Sequence, residues 1–236
     1  MVELKTLKVG IIGCGGIAQA AHMPGYSKLP EVEMVACCDI DVKKAKEAAG
    51  KFGIPKTYKN YPDLLKMDEI EAVSVCTPNL AHMEPTVAAL RAGKHVLVEK
   101  PMAMDATQCM EMIQAAEKKG VKLQIGFMRR FDRGFRQARE AVGRGDIGEV
   151  VLVKSLTHGP STPKSWQYDV GASNGPLAEV NSHDIDTLRW FTQSEFSQVY
   201  AIAGNYRCPE ARAEFPDFYD NVSLVASFAN GMQGFI

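Results

Sequence analysis

Lys100 and the set Glu179, His183 and Asp186 are the residues whose types and spacing best suit chemistry. Lys100 lies in Glu99-Lys100-Pro101, directly after the apolar run Val96-Leu97-Val98. A lysine at the end of a buried strand can polarise a hydroxyl or a carbonyl. Partial burial would lower its pKa and let it relay protons. The same position also suits an ordinary solvated lysine. Pro101 restricts the backbone beside it and is a place for a cis bond. On a wheel drawn over a helix from Leu177 to Phe191, Glu179, His183 and Asp186 fall in one polar arc. Leu177, Val180, Ile185, Leu188 and Phe191 share the other side. A carboxylate one turn from a histidine can fix its tautomer and raise its basicity, which equips it to take an alcohol proton. The same spacing also describes a plain exposed face with a Glu–His pair. Asp184 falls in the apolar arc, so it should be buried with a hydrogen-bond partner. No further ligand cluster supports a metal at these residues.

The second constellation is Gly13-Cys14-Gly15-Gly16-Ile17-Ala18, which fits G-x-G-x-x-G/A directly after the strand-like run Lys8 to Ile12. The first glycine allows a tight turn, and the second lets a pyrophosphate approach the backbone. Ala18 permits close helix–strand packing, and the helix N-terminus favours anionic phosphate. Asp39 closes the next strand, where its carboxylate can accept hydrogen bonds from adenosine ribose hydroxyls and repel a 2′-phosphate. This pattern favours NAD. Lys43 and Lys44 lie close enough to keep NADP open. Thr77-Pro78-Asn79 ends a third strand, at the sheet edge where open α/β sheets bind ligands. Asn79 either lines the cofactor or caps the helix that follows. His82 faces either the cofactor or solvent.

The elements that must hold these residues alternate in the first half. Strands at 8–12, 32–38, 72–76, 96–98 and 121–126 are separated by helices to about Ser27, and at 42–52, 80–91 and 106–119. Continuous apolar strands between helices predict a doubly wound parallel sheet covered on both faces, an α/β dinucleotide-binding domain over 1–125. The rhythm then changes to an α+β domain with an open mixed or antiparallel sheet over 126–236. It has a helix at 131–142, a strand at 150–157, a loop over 159–176, the helix at 177–191, and strands at 197–206 and 221–228. Asn230-Gly231 signals a hairpin whose return strand begins at Met232.

The 236 residues carry a net charge of −1 and are 46% hydrophobic and 23% charged. Near-neutral charge argues against an electrostatic nucleic-acid binder. No apolar run is long enough to span a membrane, and the N-terminus does not read as a signal peptide. The six cysteines, Cys14, Cys37, Cys38, Cys76, Cys109 and Cys208, form no C-x-x-C and no zinc-type spacing. They read as free thiols of a reducing, cytoplasmic protein.

Glu99-Lys100-Pro101, the glycine fingerprint, Thr77-Pro78-Asn79 and His183-Asp184-Ile185-Asp186 together resemble the Gfo/Idh/MocA family of glucose–fructose oxidoreductases and inositol dehydrogenases. Gly126-Phe127-Met128-Arg129-Arg130-Phe131 resembles the inositol-dehydrogenase branch. The resemblance implies hydride transfer between NAD(P) and a polyol or sugar carbon. It places the family lysine on Lys100 and the catalytic histidine on His183, with Glu179 standing where relatives carry aspartate. Cofactor contacts would then come from Gly13, Gly15, Gly16, Ile17, Ala18, Asp39, Thr77, Pro78, Asn79, His82 and Glu99. The resemblance places substrate contacts on Met128 and Arg129; His158, Trp166 and Asn181 are further substrate-side candidates, with Trp166 in the long loop either covering the pocket or merely packing. A homo-oligomer, dimer or tetramer, joined through the second-domain sheet is expected. A silent NAD- or sugar-sensing member and an NAD-dependent glycosidase are the alternatives. Family members run longer than this chain, so a truncated or partial enzyme is expected.

Overall fold

The computed structural model describes residues 6–159 and 163–236, which form two compact units, Met1–Gly126 and Phe127–Ile236. In the first unit six strands run parallel: β1 (Leu7–Ile12), β2 (Val32–Cys38), β3 (Lys56–Tyr58), β4 (Ala72–Val75), β5 (His95–Val98) and β6 (Leu123–Ile125). Their order is β3-β2-β1-β4-β5-β6. The chain reverses direction across the sheet between β1 and β4, the switch point at which doubly wound sheets place their ligands. Val9, Ile11, Ile12, Val73, Val75, Val96 and Val98 are all buried, as strands covered on both faces must be.

The helices follow from local chemistry. Asp41 accepts hydrogen bonds from Lys43 N and Lys44 N and starts the helix Val42–Phe52; Asp105 accepts from Gln108 N and starts Ala106–Lys119. The expected five strands are present. The sixth, β3, was not legible, because three residues on a sheet edge show no periodicity. It pairs with β2 through Ala36, Cys37 and Cys38.

The second unit is a four-stranded mixed sheet of β7 (Leu152–Lys154), β8 (Phe196–Gly204), β9 (Asn221–Phe228) and β10 (Gln233–Phe235), ordered β7-β10-β9-β8. The Asn230-Gly231 turn joins β9 to β10 as an antiparallel pair, and β10 runs parallel to β7. Leu188 of the helix Ser182–Thr192 packs with Leu224, Phe228 and Ile236 to form a small core on one sheet face. By register, Leu152, Tyr200, Ile202 and Val225 lie on the opposite face and are exposed.

Two helical expectations are corrected. The loop expected over 159–176 contains the short helices Ser165–Tyr168 and Val170–Ser173, while residues 160–162 lie outside the described ones. The continuous helix from Leu177 to Phe191 is instead two, Gly175–Glu179 and Ser182–Thr192. Val180 N and Asn181 N both turn back to Pro176 O, and the second helix starts afresh with Ile185 N bonded to Asn181 O.

Candidate active site

In the first unit the chain leaves β1 through Gly13, whose φ of +89° is one that side chains rarely adopt. A Cβ there would lie 2.8 Å from the carbonyl carbon and oxygen of Cys76. Gly15 differs, since a Cβ on it would meet nothing within 4 Å. The first glycine is therefore demanded by the fold, and the second leaves open space beside the backbone. The helix that follows spans residues 16–26, with a π-helical turn at Ala18–His22. Ala18 is buried and Ile17 exposed. Asp39 closes the loop from β2: one oxygen accepts from Cys14 N at 2.9 Å and the other from Asp41 N at 2.9 Å. The carboxylate keeps lone pairs for ribose hydroxyls.

Thr77 follows β4, and its hydroxyl donates to Ala81 O at 2.8 Å, closing the 3₁₀ turn Asn79–Ala81. Pro78 is exposed, and Asn79 is buried inside that turn rather than standing before it as a cap. His82 meets neither expectation. It is 1% exposed, with Nδ1 2.7 Å from Pro101 O and Nε2 2.8 Å from Thr77 O. A ring engaged at both nitrogens beneath the surface faces neither cofactor nor solvent.

Lys100 follows β5 at the same sheet edge, and the Lys100–Pro101 bond is cis. Glu99 is held from within the fold. Its Oε1 accepts from His22 Nε2 at 2.7 Å and its Oε2 from Lys100 N at 3.2 Å. His22 Nδ1 lies 3.3 Å from Ser74 Oγ, which is 2.6 Å from the Tyr26 hydroxyl. Burial works to raise the Glu99 carboxyl. The bond and charge of His22, with the Lys100 N–H and charge, outweigh it and hold the group below its ordinary value.

In the second unit, a cavity of about 470 Å³ is lined by Glu179, Asn181 and His158, among others. His183 opens the next helix, with its ring edge-on to Phe127 at 6.4 Å between centroids. Because the helix breaks between Glu179 and His183, the single polar arc of Glu179, His183 and Asp186 is not continuous. Asp186 is 4% exposed and clasped by Arg130 in a two-pronged pair of 2.9 and 2.8 Å.

Arg129 is held as a brace within the second unit. Its guanidinium donates to Asp184 Oδ1 at 2.7 Å and to the hydroxyls of Ser155, Thr157 and Thr187. Asp184 is buried, as its place in the apolar arc required. It also accepts from Ser155, Thr157 and the Asn181 amide. Burial acts to raise its carboxyl, but these four donors prevail and keep it low. Asn181 thus lines the cavity while its amide nitrogen serves Asp184. Met128 is 63% exposed. Trp166 lies on the helix Ser165–Tyr168, where its neighbour Gln167 lines the cavity. Among the described residues no group of three or more His, Cys, Asp or Glu could hold a metal ion, and no helix is long and apolar enough to cross a membrane. All six cysteines are free thiols, and burial pushes Cys38 up to about 12.

Comparison with known proteins assigns the architecture. Residues 7–127 match the model of the GFO/IDH/MocA oxidoreductase family, NAD-binding Rossmann fold, and residues 135–236 match the GFO/IDH/MocA C-terminal domain. The chain belongs to the GFO/IDH/MocA family.

Within that family it is 35% identical to the inositol 2-dehydrogenase of Salmonella paratyphi B over 196 residues, covering 82% of this chain and 57% of the relative. It is 30% identical to the myo-inositol 2-dehydrogenase of Thermotoga maritima over 230 residues, covering 98% of this chain and 67% of the relative. The crystal structure of myo-inositol 2-dehydrogenase from Lactobacillus plantarum superposes with a TM-score of 0.88 at 29% identity, over 98% of this chain and 69% of that one. This GFO/IDH/MocA chain thus spans little more than half the length of the Salmonella relative. Sequence reasoning missed His22, Ser74 and Tyr26. The available signal was Glu99 itself, a carboxylate ending a buried strand and therefore in need of a donor.

Proposed function

We propose that this chain supplies the dinucleotide-binding unit and substrate-binding residues of an NAD-dependent dehydrogenase acting on a secondary alcohol of a cyclic polyol or sugar, of the myo-inositol type. One observation carries the reading: the glycine loop, Asp39 and Lys100 stand together at the carboxyl edge of one parallel sheet, in a chain related to inositol dehydrogenases. Gly13, Gly15, Gly16, Ile17 and Ala18 receive the pyrophosphate. Asp39 receives the adenosine ribose, and its charge favours NAD over NADP. Thr77, Pro78 and Asn79 line the same edge. NAD, when bound, accepts the hydride of the carbinol carbon. Lys100 donates a hydrogen bond to the reacting oxygen and stabilises charge there as the hydroxyl proton leaves. His183 takes that proton, and Glu179 places a carboxylate on the cavity of the same unit. His158, Asn181 and Met128 contact the remaining hydroxyls.

We place the protein in a reducing compartment, the cytoplasm, on the support of its free cysteines. We also propose a homo-oligomer, dimer or tetramer, joined through the exposed sheet face of Leu152, Tyr200, Ile202 and Val225. The deciding experiment is a fluorescence titration with NADH, followed by steady-state assays with NAD and myo-inositol, sugars and sugar acids. Tight NADH binding with reduction of NAD by a polyol supports the reading. Tight binding without turnover of any of them overturns it in favour of a sensing protein. Release of an aryl glycoside's aglycone without net NADH overturns it in favour of a glycosidase.

A further inference from the structure

His82 ties together two segments that the proposed function uses separately. Its Nδ1 lies 2.7 Å from Pro101 O and its Nε2 2.8 Å from Thr77 O, with the ring 1% exposed. Thr77 in turn closes the Asn79–Ala81 turn through Ala81 O, while Pro101 is bonded directly to Lys100. Carbonyl oxygens only accept hydrogen bonds. A neutral imidazole donates from one nitrogen alone, so both contacts are satisfied together only when both nitrogens carry hydrogen.

We propose that His82 is a positioning residue for Lys100: its ring bridges the Thr77 and Pro101 carbonyls, donating from both nitrogens while both carry hydrogen and from one once the second proton has left, so that the cofactor-edge turn and the lysine are held as one unit most firmly in acid.

The clamp gives the site a pH sense. Burial pulls the His82 ring towards its neutral form, while the two carbonyls and the nearby Glu99 carboxylate favour the cation. The nearby Lys100 charge opposes it. Burial outweighs the favouring groups, so the second proton is lost more easily than from an exposed histidine, and one end of the clamp opens as pH rises. The charge on Lys100 couples back to the same ring. The proposal rests on the reading of Lys100 as catalytic only for its consequence. The clamp itself is testable without turnover.

The test is hydrogen exchange on the 236-residue chain and its His82→Leu and His82→Gln variants, together with ¹⁵N shifts of the wild-type His82 ring across a pH titration. On the acid side of the wild-type His82 titration, exchange in His82→Leu in peptides covering 77–83 and 99–104 rises together, by roughly two- to tenfold, the size of one lost hydrogen bond, and the joint rise shrinks as pH increases. Exchange in the helix Ala106–Lys119 stays unchanged. His82→Gln, which keeps a donor, loses less than His82→Leu. Both ring nitrogens show protonated shifts at the low end of the titration, and one loses its proton as pH rises. A rise confined to one segment, or a ring nitrogen still unprotonated at the acid end, overturns the clamp. If His82→Leu does not fold, the wild-type shifts and His82→Gln decide the question alone. If the clamp holds while NADH binds and no alcohol is oxidised, the failure belongs to the proposed function instead.

Discussion

Arg129 and Asp184 form an ion pair of 2.7 Å in which the carboxylate is wholly buried and the guanidinium nearly so. Three hydroxyls and the Asn181 amide complete the network, which ties the segment just after β7 and the turn Met128–Arg130 to the helix that begins at Ser182. The pair holds the start of the helix that carries His183.

Removing one partner should therefore expose the cost of the other. Arg129→Met should destabilise the second unit by about 3–5 kcal/mol, the usual penalty for stranding a buried charge. Urea denaturation at neutral pH measures it. Asp184 also gives this unit a definite acid sensitivity. Because its folded pKa is depressed, its stabilisation is present above the ordinary aspartate value and is lost as pH falls through the folded one. Asp184→Asn should be less stable at neutral pH and show a flatter acid limb than the wild type.

The two fingerprint glycines should separate folding from binding. Gly13→Ala places a Cβ 2.8 Å from the Cys76 backbone at a φ of +89°, and should lower stability by about 1–3 kcal/mol. Gly15→Ala meets nothing in the protein, so its melting temperature should match the wild type within a degree or two while NADH affinity falls at least about tenfold. Thermal melts with and without NADH distinguish the two; equal loss of stability in both variants would contradict this account.

His22→Leu should leave the half-buried Glu99 carboxylate without its strongest partner. Burial then raises its pKa unopposed by the imidazole, and the stability contributed at neutral pH falls by about 1–3 kcal/mol. Because the depressed Glu99 contributes above its unfolded value and loses that contribution as pH falls, wild type and variant should converge in acid. Denaturation curves at a series of pH values test this. His22→Gln, which retains a donor, should restore part of the difference.

The sheet face opposite the Leu188 core should govern assembly. Tyr200→Lys on β8, 65% exposed, should leave the thermal transition of a dilute sample little changed and shift light-scattering mass towards the monomer. An unaltered mass would remove this face from the interface.

Much of the first unit was legible in the sequence, because β1, β2, β4 and β5 lie in largely apolar runs that alternate with helical patterns. The Asn230-Gly231 hairpin was legible for a similar reason: two residues fix a turn. What escaped were features set by contacts distant in the chain. The break at Val180–Asn181 follows no proline or glycine at that point, and Asn181 gains its partner only once Asp184 is buried. Arg129 was named a substrate contact on the resemblance to inositol dehydrogenases alone; nothing local in the sequence shows the four acceptors that hold it. His82 was ambiguous and His22 went unread because a histidine's surroundings, not its neighbours in sequence, decide what its two nitrogens do.

The Asp39 carboxylate that would choose between the two dinucleotides is also a structural tether, since it accepts the Cys14 N–H at the heart of the glycine loop. Reprogramming preference towards a phosphorylated ribose by neutralising Asp39 would therefore loosen the loop that must grip either coenzyme. Selection for a new coenzyme at this position has to proceed together with a second change that restores an acceptor for that amide, which makes a single-step switch disfavoured.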